Sequence, residues 1–408
     1  MTPQNFKLAI IVFLSFHLIS FSQTSRTGRK AQQIKDSNHL FNNAENDSLV
    51  VDLGYSIEEA INSSDVNAFM EHFDKNHFIN TAITSVKTPE SQENYKQDFA
   101  KSIKSKLTFL PEKIMSEVEN GGYYNFLNYG YYSDVQTYYM LFRLYTPESG
   151  VNYHEYTIAK KDNELVFNDI YVFLSGETLT KTFNKLFLYS LPKESLLNIF
   201  DDATTKNFIK LADGVNKYNN QDYANAYKTL NSIEGELGND KYLLIIKSMC
   251  ASKIGNEEYK AATKQIIDQY PNDPTLYLTQ IDYHILNKSY DQALNLLEKL
   301  QSDTEDDFLN LMKGNIELER ENYSAALPLY KFISDNYADF FQGHASYLVC
   351  LALLQDYDTC ASFLNQLIED GYDKNEMIDF IESLDEEGQN ELSGLVQSNP
   401  YKTWKKES

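Results

Sequence analysis

Few residues of this chain stand at the spacings that chemistry requires. His72 and His77 are five apart, a step that puts two side chains on different faces of a helix and so argues against a metal pair. His39, His154, His284 and His344 are isolated and read as surface or packed histidines. The sequence has no glycine-rich phosphate loop, no nucleophile elbow, no His-Glu-x-x-His run and no paired-cysteine metal knuckle. What remains is aromatic and acidic: Tyr139, Tyr153, Glu155, Tyr156 and Asp169, all on predicted strands. A carboxylate buried beside such rings would have a raised pKa and would serve as a base. Packed rings with solvent-facing acids are the bland alternative. No catalytic residue, cofactor site or metal site is assigned.

The bulk numbers say what must position these residues. The 408-residue length allows two or three domains, and 42% hydrophobic with 13% aromatic residues is enough for packed cores. Tyr (30) and Phe (24) far outnumber the single Trp, so the aromatic surplus needs a structural explanation. The formal charge is -23, and residues 201–408 carry 36 acids against 18 bases. Such a surface repels phosphate backbones and anionic headgroups, so neither nucleic acid nor a membrane surface is an expected partner.

Residues 1–22 read as a signal peptide. Lys7 supplies the positive start, Leu8 to Ile19 an apolar stretch of 12, and Ser20-Phe21-Ser22 a cleavage site. The stretch is shorter than the roughly 18 residues of a spanning helix, and an uncleaved anchor is the rival reading. Export to a periplasm or to the exterior, of bacterial type, is expected, with no stable membrane insertion after cleavage. Residues 23–49 are polar, without apolar periodicity, and read as a flexible leader.

The clearest regularity lies in the second half. Asp222-Tyr223…Ala226…Leu230 returns as Glu258-Tyr259…Ala262…Ile266 and Ser289-Tyr290…Ala293…Leu297. It returns again as Asn322-Tyr323…Ala326…Tyr330 and Asp356-Tyr357…Cys360…Leu364. The five tyrosines are separated by 36, 31, 33 and 34 residues, the period of one helix–turn–helix unit. These residues resemble the tetratricopeptide repeat family over 205–372. The resemblance places the small residue of helix A at Gly214, Cys250, Ile281, Gly314 and Leu348, facing Ala226, Ala262, Ala293, Ala326 and Cys360 of helix B. Ile281 and Leu348 are large for that slot, so the third and fifth hairpins are expected to be splayed or shifted. Cys250 and Cys360 fill small-residue slots. A bridge between Cys350 and Cys360, on the two helices of one unit, is compatible with the spacing.

The family's concave face maps here onto helix A residues that include Tyr218, Lys247, Asp282, Asn315 and Leu318. These are the candidate contacts to a protein or peptide partner. Only Lys247 and Asn315 match the Lys, Arg and Asn set by which some members clamp a peptide carboxylate, and they stand in different registers. The groove is otherwise apolar with an acidic rim, suited to an amphipathic or basic segment or to a neighbouring domain. Residues 373–408 read as a capping helix and tail.

Residues 50–180 have another texture. Helical patterns start at Ser56 and cover about Ser91 to Glu117. Tyr123–Tyr132, Gln136–Tyr145, Asn152–Lys160 and Leu165–Ser175 then read as four strands, and 181–204 as connecting helices. Helices followed by a meander resemble the nuclear transport factor 2-like fold, a curved antiparallel sheet wrapped around helices into a cone; a cystatin-like sheet shares that plan. Some members enclose a pocket where a carboxylate works beside tyrosines, which implies a role for Tyr139, Tyr153, Glu155, Tyr156 and Asp169. The expected architecture is therefore mixed: an N-terminal α+β cone-like domain, then an all-α solenoid. Its expected role is a non-catalytic, exported scaffold that binds protein. The alternative is a small-molecule or hydrolase- or isomerase-type pocket in the first domain, with the solenoid as recruitment arm.

Overall fold

The computed structural model describes residues 40–84, 93–147, 150–191, 201–271, 273, 276–384, 390 and 392–407. The expected signal peptide, and residues 23–39 of the expected leader, lie outside them, as do 192–200 of the expected connection. The chain divides into two compact units, one of Met1–Asn287 with Ser302–Glu305, the other of Lys288–Gln301 with Asp306–Ser408.

In the first unit, helices α1 (Ala44–Asn62), α2 (Val66–Glu71), α3 (Lys75–Thr84), α4 (Glu93–Lys104) and α5 (Phe109–Glu119) precede a sheet. Its strands are β1 (Tyr123–Tyr132), β2 (Thr137–Thr146), β3 (Gly150–Lys161), β4 (Glu164–Val172) and β5 (Glu177–Thr178). They pair antiparallel in the order β1-β2-β3-β4-β5. The turn from β3 to β4 is two residues long, Asp162 (φ 50°) and Asn163 (φ 71°). Both are left-handed, the twist that a tight hairpin demands and that Asp and Asn tolerate. Alternation sends Tyr124, Phe142 and Tyr156 toward the helices, where they join Phe69, Phe73 and Phe167 in one core. Tyr124 stacks on Phe142 at 5.2 Å and Tyr156 meets Phe167 edge-on at 4.9 Å. This layer is where the aromatic surplus goes.

The leader ends earlier than expected. Leu40 is buried, and its N–H donates to the Gln136 carbonyl at 3.0 Å. Asn43 caps α1 by accepting the Asn46 N–H, and Tyr138 donates to Asp47 at 2.7 Å. Residues 44–49 are thus helical through a cap and a tertiary bond, neither of which leaves an apolar period in the sequence.

Helix α6 (Leu179–Ser190) leaves the sheet, followed by α7 (Asp202–Asn219), α8 (Tyr223–Asn231), the short α9 (Gly235–Gly238), α10 (Lys241–Ser252), α11 (Asn256–Gln269) and α12 (Tyr277–Leu286). The apolar core running from Leu40 through the sheet continues without a break to Leu276. Lys185 of α6 binds Glu177 at 2.8 Å and Asp240 at 3.2 Å, with its ammonium 4.7 Å from the Tyr242 ring centre. The compact units part at Asn287 and Lys288, and helices after the sheet share its core.

The second unit holds α13 (Tyr290–Thr304, whose last residues belong with the first unit), α14 (Asn310–Glu319), α15 (Tyr323–Asn336), α16 (Phe341–Leu353) and α17 (Tyr357–Glu369). Then come α18 (Lys374–Glu382), α19 (Ser393–Gln397) and α20 (Asn399–Lys406). Tyr401 and Trp404 of α20 are buried, and α20 packs on α17. Four of the five repeated tyrosines open a helix, each two residues after a left-handed residue: Gln221, Lys288, Glu321 or Gln355. Three of these turns have the same closure. Asp222, Asn322 and Asp356 donate to the carbonyls of Lys217, Glu317 and Leu351, five residues back, in the Schellman pattern.

Between paired helices the small residues meet large ones. A Cβ added at Gly214 would lie 2.5 Å from Leu230, and one at Gly314 would lie 2.7 Å from the Tyr330 ring. An exposed helical glycine gains about 1 kcal/mol when changed to alanine. Gly314→Ala is expected to have the opposite sign, losing about 1–3 kcal/mol through overpacking. Urea unfolding of the full chain measures it, and a gain in stability would contradict the close approach.

Candidate functional site

Of the five aromatic and acidic candidates of the sheet, Tyr156 is parted from the other four. Tyr156 faces the helices, whereas alternation along β2 and β3 puts Tyr139, Tyr153 and Glu155 on the opposite side. Glu155 accepts the Tyr132 hydroxyl at 2.9 Å. Asp169 holds the start of α6, accepting the Thr180 N–H at 3.2 Å and the Thr180 hydroxyl, and burial raises its carboxyl pKa. That is a capping role.

Beneath the sheet lies a polar chain that sequence reasoning did not assemble. Asn152 Oδ1 accepts the N–H groups of Tyr153 (2.8 Å) and Leu174 (3.2 Å), so its amide nitrogen donates to His154 Nε2 at 3.3 Å. His154 Nδ1 then carries the proton and donates to the Tyr124 hydroxyl at 3.2 Å. Tyr124 in turn lies 2.7 Å from the Tyr156 hydroxyl. Desolvation pushes the His154 pKa down to about 4, and a second ring proton would face the Asn152 amide. Burial raises both tyrosines, so the chain stays neutral and works as a core fixture. The only sequence signal was the alternation that put Tyr124, His154 and Tyr156 on one face.

The candidates on the helical half have mixed settings. Tyr218 (6% exposed) and Lys247 (4% exposed) are covered by the chain itself. Lys247 Nζ donates to Gln265 Oε1 at 2.6 Å, and desolvation lowers its pKa. Helix α10 is buried continuously from Tyr242 to Ala251, which no amphipathic rule anticipates. Asp282, on α12, is half-buried and accepts the Tyr259 hydroxyl at 2.7 Å. Desolvation pushes its carboxyl up to about 8, against the pull of that hydrogen bond. In the second unit Asn315 is exposed and accepts the Tyr330 hydroxyl at 2.9 Å, while Leu318 is half-buried one turn on.

Cys250, Cys350 and Cys360 are free and buried. Burial pushes Cys350 up to about 11 and Cys250 and Cys360 up to about 12, which leaves them as thiols at neutral pH. Among the described residues no group of three His, Cys, Asp or Glu could hold a metal ion, and no helix is long and apolar enough to cross a membrane.

The polar chain makes a pH prediction. A histidine whose folded pKa falls below its unfolded 6.5 contributes stability that is complete above pH 6.5 and is lost as pH falls toward 4. The loss attributable to His154 is about 3 kcal/mol. Urea titrations at pH 7 and pH 4.5 should show a flatter acid limb in His154→Gln than in the wild type. Parallel limbs would assign the acid sensitivity elsewhere.

No family model, no curated protein and no solved structure matches this chain.

Proposed function

We propose that this chain is an exported, non-catalytic interaction protein that binds a protein or peptide partner through tetratricopeptide-type helix pairs. The observation that carries the reading is the recurrence of one turn. A left-handed residue stands two places before Tyr223, Tyr290, Tyr323 and Tyr357, and glycine sits in the helix A slot opposite a large side chain in two of the pairs. Stacked pairs of this kind expose a row of helix A side chains, and stacking is their means of presenting a surface. Nucleic acid does not fit the charge of -18 on residues 201–408.

The catalytic alternative is weaker. The helix-facing side of the sheet is filled with rings in contact, and Tyr156 is on that side while Tyr139, Tyr153, Glu155 and Asp169 are on the other. Fold resemblance alone does not supply an activity.

A truncation at residue 205 would cut the core shared with the sheet, so the test uses the full chain. Affinity capture from the native host with wild type, Asn315→Arg and Leu318→Glu is expected to lose partners in both variants. A Tyr55→Ser control, exposed on α1, should retain them. Unchanged capture by both variants would remove the helical surface from the reading. For export, mass spectrometry of the protein from its host should find Gln23 as the first residue; an intact Met1 would favour the anchored form.

A further inference from the structure

We propose that Asp282 and Tyr259 form a receptor for one cationic side chain, an arginine or lysine carried by the bound segment. This rests on the reading of the helical half as a partner surface and names the chemistry that the surface selects.

Two covered acids of the chain carry a cation, whereas Asp169 is held by the Thr180 N–H and hydroxyl at the start of α6. Glu177 has Lys185 at 2.8 Å, and Glu317 (6% exposed) has Arg320 at 2.6 Å, with Asn322 also donating to it. Asp282 has a tyrosine hydroxyl and, among the described residues, no lysine or arginine in ion-pair reach. From α11, the helix packed against α12, the titratable group facing it is Tyr259; its chain neighbours on α12 are Tyr283 and His284. Tyr259 packs in a small buried cluster with Ala251 and Ala262, against which the half-buried Tyr227 and Leu286 lie. A half-buried carboxylate in such a setting is poorly hydrated, and an incoming cation restores what water lost. The acidic excess of residues 201–408 draws cations toward it.

The receptor must be ionised to work. With its carboxyl pushed up to about 8, Asp282 is about one-tenth ionised at pH 7 and nine-tenths at pH 9. A cation therefore binds about tenfold more tightly at pH 9, and each binding event at neutral pH releases close to one proton. No covalent step is involved.

The experiment uses the full chain and two fluorescein-labelled short amphipathic peptides that differ at one central position, arginine or norleucine, followed by anisotropy. The expected result is an arginine preference of about tenfold at pH 9 that shrinks toward parity at pH 6 and is absent in Asp282→Asn at both pH values. Tyr259→Phe should keep the preference but move its midpoint to higher pH, because the lost hydroxyl was lowering the carboxyl pKa. An arginine preference that survives in Asp282→Asn overturns the proposal and leaves the partner-binding reading standing. So does equal binding of both peptides to the wild type throughout. Failure of both peptides to bind the wild type overturns the two together.

Discussion

Close approach of paired helices is the constraint on which the second half of this protein depends. Two backbones can come near only where one side chain is missing, and Gly214 under Leu230 and Gly314 under Tyr330 supply that gap. At Gly314 the same ring reaches on to give its hydroxyl to Asn315, so one contact both closes the pair and orients a surface residue. The third pair has Ile281 in this slot, and the division into compact units falls in that pair's turn, between Asn287 and Lys288.

Much of the architecture was legible because its determinants are local. Strand boundaries followed alternation and turn residues to within a few positions, since Pro147, Gly150, Asp162 and Asn163 stop strands by their own backbone preferences. The two-residue β5 was not legible, because nothing but its pairing with Tyr171 and Val172 makes it a strand. The early start of α1 depends on Tyr138, 91 residues beyond Asp47. The helix continuity around 91–117 broke at Ser105–Thr108, giving α4 and α5 where one periodic run was read.

The candidate site was legible only in part. Spacing placed Tyr218, Lys247 and Asp282 on equivalent helix faces, but equivalence in a repeat does not fix exposure. α10 lies inside the core that also holds the sheet, so Lys247 is enclosed while Asn315, in another register of a later helix A, is open. Likewise Glu155 and Tyr156 are neighbours in sequence and so point to opposite faces of the sheet. Residue type suggested a reactive cluster from which geometry removes Tyr156.

The unbroken core from Leu40 to Leu276 has a thermodynamic consequence. Residues that share one core open together, so whatever stabilises any part of that unit raises the cost of opening all of it. A contact that stabilises α10 would thereby slow amide hydrogen exchange in β2 and β3 without touching either strand. The sheet, far from being a passive neighbour of the helices, becomes the gauge on which their occupancy is registered.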